Sequence, residues 1–178
     1  MEDNIELNAG GADLLAGMFG APTPIKQEDI DFRLPMKYKK LDMRAKEPTQ
    51  GSKEAAGYDL YGLVLGDELE ILPHTTVKIG TGIAIELPPC TFGAVFARSG
   101  LATKQGLRPA NCVGVIDQDY RGEVIVALHN DTNQIQVIHS GDRIAQLVVI
   151  PYMQVKLVEA EELADTVRGN GGFGSTGA

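Results

Sequence analysis

The stretch VKIGTGIAIEL, at residues 77–87, restricts the possible folds more than any other part of the sequence. Every second residue in it is Val, Ile, Thr or Leu, and small or charged residues occupy the positions between. A period of two is that of a β-strand, whose successive side chains point to opposite faces. The pattern predicts a strand with one buried face, formed by Val77, Ile79, Thr81, Ile83, Ile85 and Leu87.

Four more runs have strand character, and turn-forming residues separate them at intervals of about ten residues. No long amphipathic helix interrupts them, and at most one short helix is expected, near residues 101–105. Many short strands predict an all-β, antiparallel, jelly-roll-like β-barrel. The four runs are EVIVAL (123–128), IQVIH (135–139), IAQLVVI (144–150) and MQVKLVEA (153–160).

The formal net charge of -8 is concentrated in one part of the chain. Residues 1–32 hold seven acids and one base, a charge of -6, and the other 17 acids and 15 bases give -2. Neither part has the basic surplus of a protein that grips a nucleic-acid backbone, so no direct nucleic-acid partner is expected. A small anionic ligand needs only a few well-placed bases and is compatible with this charge.

Length and composition favour one soluble domain with appendages. No run approaches the roughly 20 apolar residues needed to span a bilayer, so no membrane partner is expected. The start MEDNIELNAG has neither the basic residues nor the apolar stretch of a signal peptide. The two cysteines, Cys90 and Cys112, are expected to be free thiols, which fits a reducing compartment. Together these features predict a cytoplasmic or nuclear protein that is not secreted.

Three regions are expected along the chain. Residues 1–34 are acidic and rich in Gly and Pro, which predicts a disordered extension with a possible protein partner. Residues 35–163 carry the strand patterns and form the β domain, and residues 164–178 form a flexible, glycine-rich C-terminal arm.

Polar residues cluster in five short blocks near the strand ends. Arginines and hydroxyls suit phosphate oxygens, glycines let backbone amides approach an anion, and aspartates suit hydrated Mg²⁺ or a water. With aromatic rings for stacking, this set indicates a nucleoside triphosphate site. The blocks are AAGYDLYG (55–62), ARSGLA (97–102), NCVGVIDQDYRGEV (111–124), GDRIAQLVV (141–149) and RGNGGFGSTG (168–177).

Two common phosphate motifs do not explain these blocks. The sequence contains no G-x-x-x-x-G-K-[ST], which excludes a P-loop. Gly169, Gly171 and Gly174 match the dinucleotide pattern G-x-G-x-x-G, but that pattern requires a following helix and only four residues remain after Gly174.

The five blocks, in this order and spacing, resemble the five motifs of the trimeric dUTP pyrophosphatases (dUTPases), and they span residues 55–177. The resemblance implies hydrolysis of dUTP to dUMP and pyrophosphate with Mg²⁺, which limits uracil in DNA and supplies dUMP for dTTP synthesis. It also implies a homotrimer of jelly-roll subunits with an exchanged C-terminal arm. Each of its three sites would draw motifs from all three subunits.

The resemblance implies a role for each matching residue. Asp117 would be the general base for the attacking water, and Tyr120 would exclude a 2′-hydroxyl by packing against the deoxyribose. A hairpin at residues 111–117, with Asn111, Gly114 and Val115, would bind the uracil edge. Arg98, Ser99 and Gly100 would bind the phosphate chain, Gln146 an α-phosphate oxygen or the water, and Asp59 the Mg²⁺ through water.

The C-terminal block would close over the bound nucleotide. Arg168 would grip the γ-phosphate and Phe173 would lie over the uracil, while closure would expel water from the triphosphate. Ser175 and Thr176 would add hydrogen bonds, and Gly172 and Gly174 would let the backbone wrap closely.

One departure and two alternatives accompany the resemblance. The second motif usually begins with proline, and Ala97 stands there in this sequence, which is expected to loosen the phosphate grip slightly. Arg143 is equally compatible with a phosphate ligand and with a structural ion pair. The alternatives in function are a dCTP deaminase of the same fold and a nucleotide-responsive binding or regulatory protein.

Overall fold

The computed structural model of the chain describes residues 33–172. By its internal contacts the chain divides into one unit at residues 1–35 and a second at 36–178, and the fold below is that of the second. The predictions for residues 1–32 and 173–178 lie outside the described residues, and the three-region division stays a prediction.

Within residues 33–172 the chain forms eleven β-strands and one short helix of π type, Leu101–Gln105. All strand pairs are antiparallel, and no described helix is long and apolar enough to cross a membrane. The predicted antiparallel all-β fold is confirmed. The strands are β1 (Lys37–Lys40), β2 (Thr49–Gln50), β3 (Tyr58–Tyr61), β4 (Glu68–Ile71), β5 (Thr76–Glu86), β6 (Thr91–Phe96), β7 (Leu107–Pro109), β8 (Gly114–Ile116), β9 (Glu123–Asn130), β10 (Gln136–His139) and β11 (Arg143–Pro151).

The strands form three sheets. One has the order β1-β5-β9-β7, the second β2-β3-β11-β6-β8, and β10 pairs with β4 in a small third sheet. One hydrophobic core unites the three, because strands from all of them contribute fully buried side chains to a single cluster. These include Leu60, Ile71, Ile79, Ile83, Leu128, Ile138 and Leu147.

Strand β5 follows the predicted alternation only in its first half. Its register shifts between Gly80 and Ala84, and Gly82 lies there with a φ of 67°. A Cβ on Gly82 would lie 2.7 Å from the Cβ of Ala45, so only glycine fits. The predicted alternation is therefore wrong at Gly82 and Ala84, which are buried together with Ile83 and Ile85.

The run MQVKLVEA does not form the predicted strand. Residues 152–160 have neither helix nor strand, and the side chains of Met153 and Leu157 are 85% and 93% exposed. Strand β11 ends at Pro151, and no other strand of the described chain pairs with the residues after it. A strand pattern alone cannot form a ladder, because its backbone groups need a neighbouring strand.

Asn130, at the end of β9, ties the first sheet to the β4–β10 pair. Its buried amide donates to the carbonyls of Ile71 and Gln134, at 2.9 and 2.8 Å. Its Oδ1 accepts from the backbone N–H and the hydroxyl of Thr132. This side chain therefore satisfies the hydrogen bonding of four polar groups. These bonds explain why a polar residue occupies a fully buried position.

Replacing Asn130 with alanine is expected to lower the free energy of unfolding by about 3 kcal/mol, because buried carbonyls lose their donors. Chemical denaturation at fixed protein concentration measures the change. Asn133→Ala is the matched control, because its one side-chain bond, to His74, lies on the surface. Equal stabilities of the two variants would contradict the role given to Asn130.

Candidate active site

The first polar pocket lies where β3, β11 and the end of β6 meet. Asp59 pairs with Gln146 across β3 and β11, and Gln146 pairs with Phe96 across β11 and β6. Directly opposed residues of antiparallel strands present their side chains on one face, so three of the five blocks converge here. We call this cavity of about 240 Å³ the arginine pocket. It is lined by Gly51, Ala55, Ala56, Gly57, Asp59, Arg98, Ser99, Arg143 and Gln146.

A largely buried carboxylate organises the arginine pocket. The Nε of Arg98 donates to Oδ1 of Asp59 at 2.8 Å, and Nη1 of Arg143 donates to Oδ2 at 3.3 Å. The Asp59 side chain is 12% exposed, whereas that of Arg143 is 50% exposed. Arg143 thus makes the structural ion pair that was one of the two roles predicted for it. Both arginines keep further N–H groups that could bind an anion.

The backbone before and after Arg98 is held by three hydrogen bonds. Gln146 donates from Nε2 to the carbonyl of Ala97 at 3.0 Å, and the short helix returns bonds to the carbonyls of Arg98 and Ser99. Within the described chain the exposed Ser99 hydroxyl has no hydrogen-bond partner. The Gln146 bond fixes this segment although alanine replaces the usual proline at position 97.

The second pocket, of about 250 Å³, lies between β9 and the segment that joins β7 to β8. We call it the tyrosine pocket. Its lining contains the predicted base-binding and sugar-binding residues Asn111, Gly114, Val115, Asp117 and Tyr120, together with Glu123 and apolar residues of β9.

Residues 111–117 do not form the predicted hairpin. Strand β7 pairs with β9 in the first sheet, whereas β8 pairs with β6 in the second, so the segment between them crosses from one sheet to the other. A tight turn carries the crossing, with Cys112 at a φ of 61°. No hairpin forms because β8 takes β6 as its neighbour, with Gly114 packed closely against Val95.

Tyr120 is held at its backbone and at its hydroxyl. Its N–H donates to the carbonyl of Asp117 at 3.1 Å, and its hydroxyl donates to the carbonyl of Glu123 at 2.9 Å. Arg121 braces the same turn by donating to the carbonyls of Gln118 and Tyr120. The aromatic ring therefore has a defined place at the pocket although it is 43% exposed.

Asp117 and the arginine pocket lie toward opposite ends of strand β6, and the tyrosine pocket extends along the strand to Val95. At one end β6 leads through Ala97 to Arg98 and Ser99, and at the other Gly93 pairs with Ile116, the residue before Asp117. The six residue steps from Gly93 to Ser99 would span at most roughly 20 Å if fully extended, and Ser99 already lies in a helical turn. Within one chain, the arginine pocket and Asp117 therefore lie toward different ends of β6.

The C-terminal block is described only as far as Gly172. Arg168 closes a turn with Gly171, donating from Nε to its carbonyl at 2.9 Å, and its side chain is exposed. Neither pocket lining includes Arg168 or Gly172. Phe173, Gly174, Ser175 and Thr176 lie outside the described residues.

One residue of the tyrosine pocket and one residue beside it were absent from the sequence prediction. Glu123 lines the tyrosine pocket, and its Oε1 accepts a hydrogen bond from the N–H of Gly82 at 2.7 Å. Gly122 packs against the ring of Tyr120. Both lie within the third sequence block, two and three residues after Tyr120, and this closeness in sequence could have identified them. Among the described residues no three His, Cys, Asp or Glu side chains form a metal-binding cluster.

Comparisons with known proteins identify the family of the chain. The family model described as dUTPase matches residues 43–177. The deoxyuridine 5'-triphosphate nucleotidohydrolase of Desulfitobacterium hafniense (strain DSM 10664 / DCB-2) is 52% identical over 141 residues, 79% of this chain and 93% of the relative.

Solved structures give the same result for the fold. A mutant dUTPase of Staphylococcus bacteriophage 80alpha, with dUpNHpp, matches with a TM-score of 0.70 and 26% identity, covering 81% of this chain and 99% of the other. A mutant dUTPase from phage phi11 of S. aureus, which coordinates a structural Mg(II) ion, matches at 0.66 and 23% identity, covering 74% and 100%. The family model and the bacterial relative, together with the two pockets, show that this chain belongs to the dUTPase family and hydrolyses dUTP.

Proposed function

We propose that the chain acts as a Mg²⁺-dependent homotrimer that converts dUTP to dUMP and pyrophosphate at sites shared between subunits. Each site would combine the tyrosine pocket of one copy, the arginine pocket of a second and the C-terminal block of a third. The placement along β6 supports this proposal, because Asp117 follows the residue paired with Gly93 whereas Ser99 lies beyond the other end of the strand.

Asp117 is assigned as the general base. Its side chain is exposed and lies on the tyrosine pocket, next to the place given to the sugar. The carboxylate takes a proton from water while the water oxygen bonds to the α-phosphorus. The bond from this phosphorus to the α,β-bridging oxygen breaks, and pyrophosphate leaves with that oxygen and its electron pair.

The arginine pocket of a neighbouring copy is assigned to the triphosphate. Arg98 and Arg143 carry N–H groups beyond those that bind Asp59, and these suit phosphate oxygens. The free Ser99 hydroxyl, with Gly100 beside it, would donate to the α,β-bridging oxygen where negative charge develops. Gln146, held by Ala97, would present Oε1 to the attacking water.

The tyrosine pocket is assigned to deoxyuridine. Backbone groups of Gly114 and Val115 and the amide of Asn111 provide both donors and acceptors for the uracil edge. Cytosine reverses two of these positions and would leave buried polar groups unpaired, at about 1 to 3 kcal/mol each. The fixed ring of Tyr120 would leave no room for a 2′-hydroxyl.

These residues could hold Mg²⁺ only indirectly, through water molecules and the phosphates of the substrate. Both oxygens of Asp59 accept from arginines, and no cluster of three ligands exists among residues 33–172. Mg²⁺ commonly keeps several waters and is held by substrate phosphates with one or two carboxylates. Asp59 would therefore hold it through a water, and the bound ion would neutralise charge on the phosphates.

Residues 152–167, which we call the extended segment, would bind a neighbouring copy. Met153, Val155 and Leu157 recur at every second position, and all are more than 75% exposed. A continuous set of exposed apolar side chains on an extended backbone suits strand addition to another subunit. The segment would bring the C-terminal block of its own chain, with Arg168, Gly172 and residues 173–176, to a site formed by two other copies.

Intersubunit complementation tests the shared site. Asp117→Asn is expected to abolish turnover while retaining dUTP binding, and Ser99→Ala to lower kcat about a hundredfold or more. Co-expressed, the two variants should recover activity, because about a quarter of randomly assembled sites receive both intact groups from different copies. Pyrophosphate release measures the activity with and without Mg²⁺.

The double variant Asp117→Asn/Ser99→Ala, co-expressed with Asp117→Asn, is the matched control, because no site in that mixture holds an intact Asp117. It should stay inactive. Inactivity of the complementing pair in a mixed trimer, verified by two affinity tags, would show that each chain builds its site alone.

The extended segment gives a second test. Val155→Asp/Leu157→Asp should shift the chain from trimer to monomer, because two charges would be buried against the neighbouring copy. Lys156→Asp places the same group on the intervening position and should leave the trimer intact. Sedimentation velocity distinguishes the species, and a trimeric double variant would exclude this segment from assembly.

A further inference from the structure

Gly122 lies directly against the aromatic ring assigned to sugar selection. An ideal Cβ built on Gly122 would lie 2.6 Å from Cζ and 3.0 Å from Cε2 of Tyr120, and closer still to the hydroxyl oxygen. Real Cβ atoms do not approach other atoms so closely, so any side chain at position 122 must displace the ring.

The need for glycine here is one of space. The φ of Gly122 lies outside the positive range that favours glycine, so alanine fits its backbone. The atoms in conflict are the far end of an exposed side chain, which can move without disturbing the core. An alanine would therefore leave the fold intact and shift the ring.

The tyrosine hydroxyl fixes the ring from the other side. It donates to the carbonyl of Glu123, and Oε1 of Glu123 is in turn bound by the N–H of Gly82 in the β5 bulge. A displaced ring loses the bond to Glu123 and is free to rotate about its side-chain torsions. Backbone contact at Gly122 and the carbonyl of Glu123 together define one position.

We propose that Gly122 is a positioning and specificity-determining residue, whose missing side chain lets the Tyr120 ring lie where it binds deoxyribose and rejects ribose. The proposal rests on the sugar-selecting role proposed for Tyr120. It adds that the selectivity is built by the neighbouring glycine and by the bond to the Glu123 carbonyl.

Gly122→Ala tests the proposal. The KM for dUTP is expected to rise about tenfold with kcat nearly unchanged, because Asp117 is untouched and only binding is lost. The ratio of kcat/KM for dUTP to that for UTP should fall by a similar factor. Gly51→Ala is the control for selectivity, because its Cβ meets nothing within 4 Å and a change in the arginine pocket affects both nucleotides alike.

A double-mutant cycle separates ring displacement from any other effect of the alanine. In a Tyr120→Ala background, where the ring is absent, Gly122→Ala should change neither KM nor the ratio further. Equal effects of Gly122→Ala with and without the ring, or no effect in the presence of the ring, would overturn the proposal. Should Gly122→Ala alone not fold, recovery of a folded protein in the double variant supports the clash and failure to recover overturns it.

Tyr120→Ala alone distinguishes this inference from the function on which it rests. An unchanged dUTP-to-UTP ratio in that variant would refute steric sugar selection by Tyr120. A lowered ratio in Tyr120→Ala, together with an unchanged ratio in Gly122→Ala, would refute only the role of Gly122.

Discussion

The pairing of β6 with both β11 and β8 is the constraint on which the two pockets depend. Through β11 it sets Arg98 and Ser99 beside Asp59 and Gln146, and through β8 it sets Asp117 at the opposite end. A shift of one residue in either pairing would turn the side chains of that strand to the other face. Small apolar contacts such as Gly93 against Leu147 and Ile116 hold this register.

The same constraint connects the fold to the assembly. If the proposed phosphate-binding groups and general base lie toward different ends of one strand, a complete site would form only beside another copy. The exposed side chains of the extended segment fit this need, because apolar surface left uncovered in one chain is buried by association. Assembly and catalysis would then rest on the same interfaces.

Much of the molecule could be predicted from its sequence. Alternation located β5, β9, β10 and β11, since these strands bury side chains in the core of their own chain. The five blocks located residues that line the two pockets, because phosphate and water chemistry restrict the residue types that can serve. The strand predicted at residues 153–160 was wrong, since periodicity indicates an extended segment and gives no information on which chain supplies its neighbour.

The contacts that could not be predicted are those made by residues far apart in sequence. Glu123 binds the bulge at Gly82, and the crossing at residues 110–113 joins two sheets, which no local pattern records. Likewise, the sequence indicated that Asp59 is a functional polar residue, but it did not reveal that Asp59 accepts hydrogen bonds from two arginines.

The Asp59 arrangement has a physical consequence for binding. One buried negative charge between two arginines leaves a positive excess in the arginine pocket, and it fixes both guanidinium groups before substrate arrives. Groups held in advance lose less conformational entropy when they bind phosphate, and they need no reorganisation as charge develops in the transition state. A carboxylate of the same sign as the substrate would thus assist the proposed phosphate binding by positioning the cations around it.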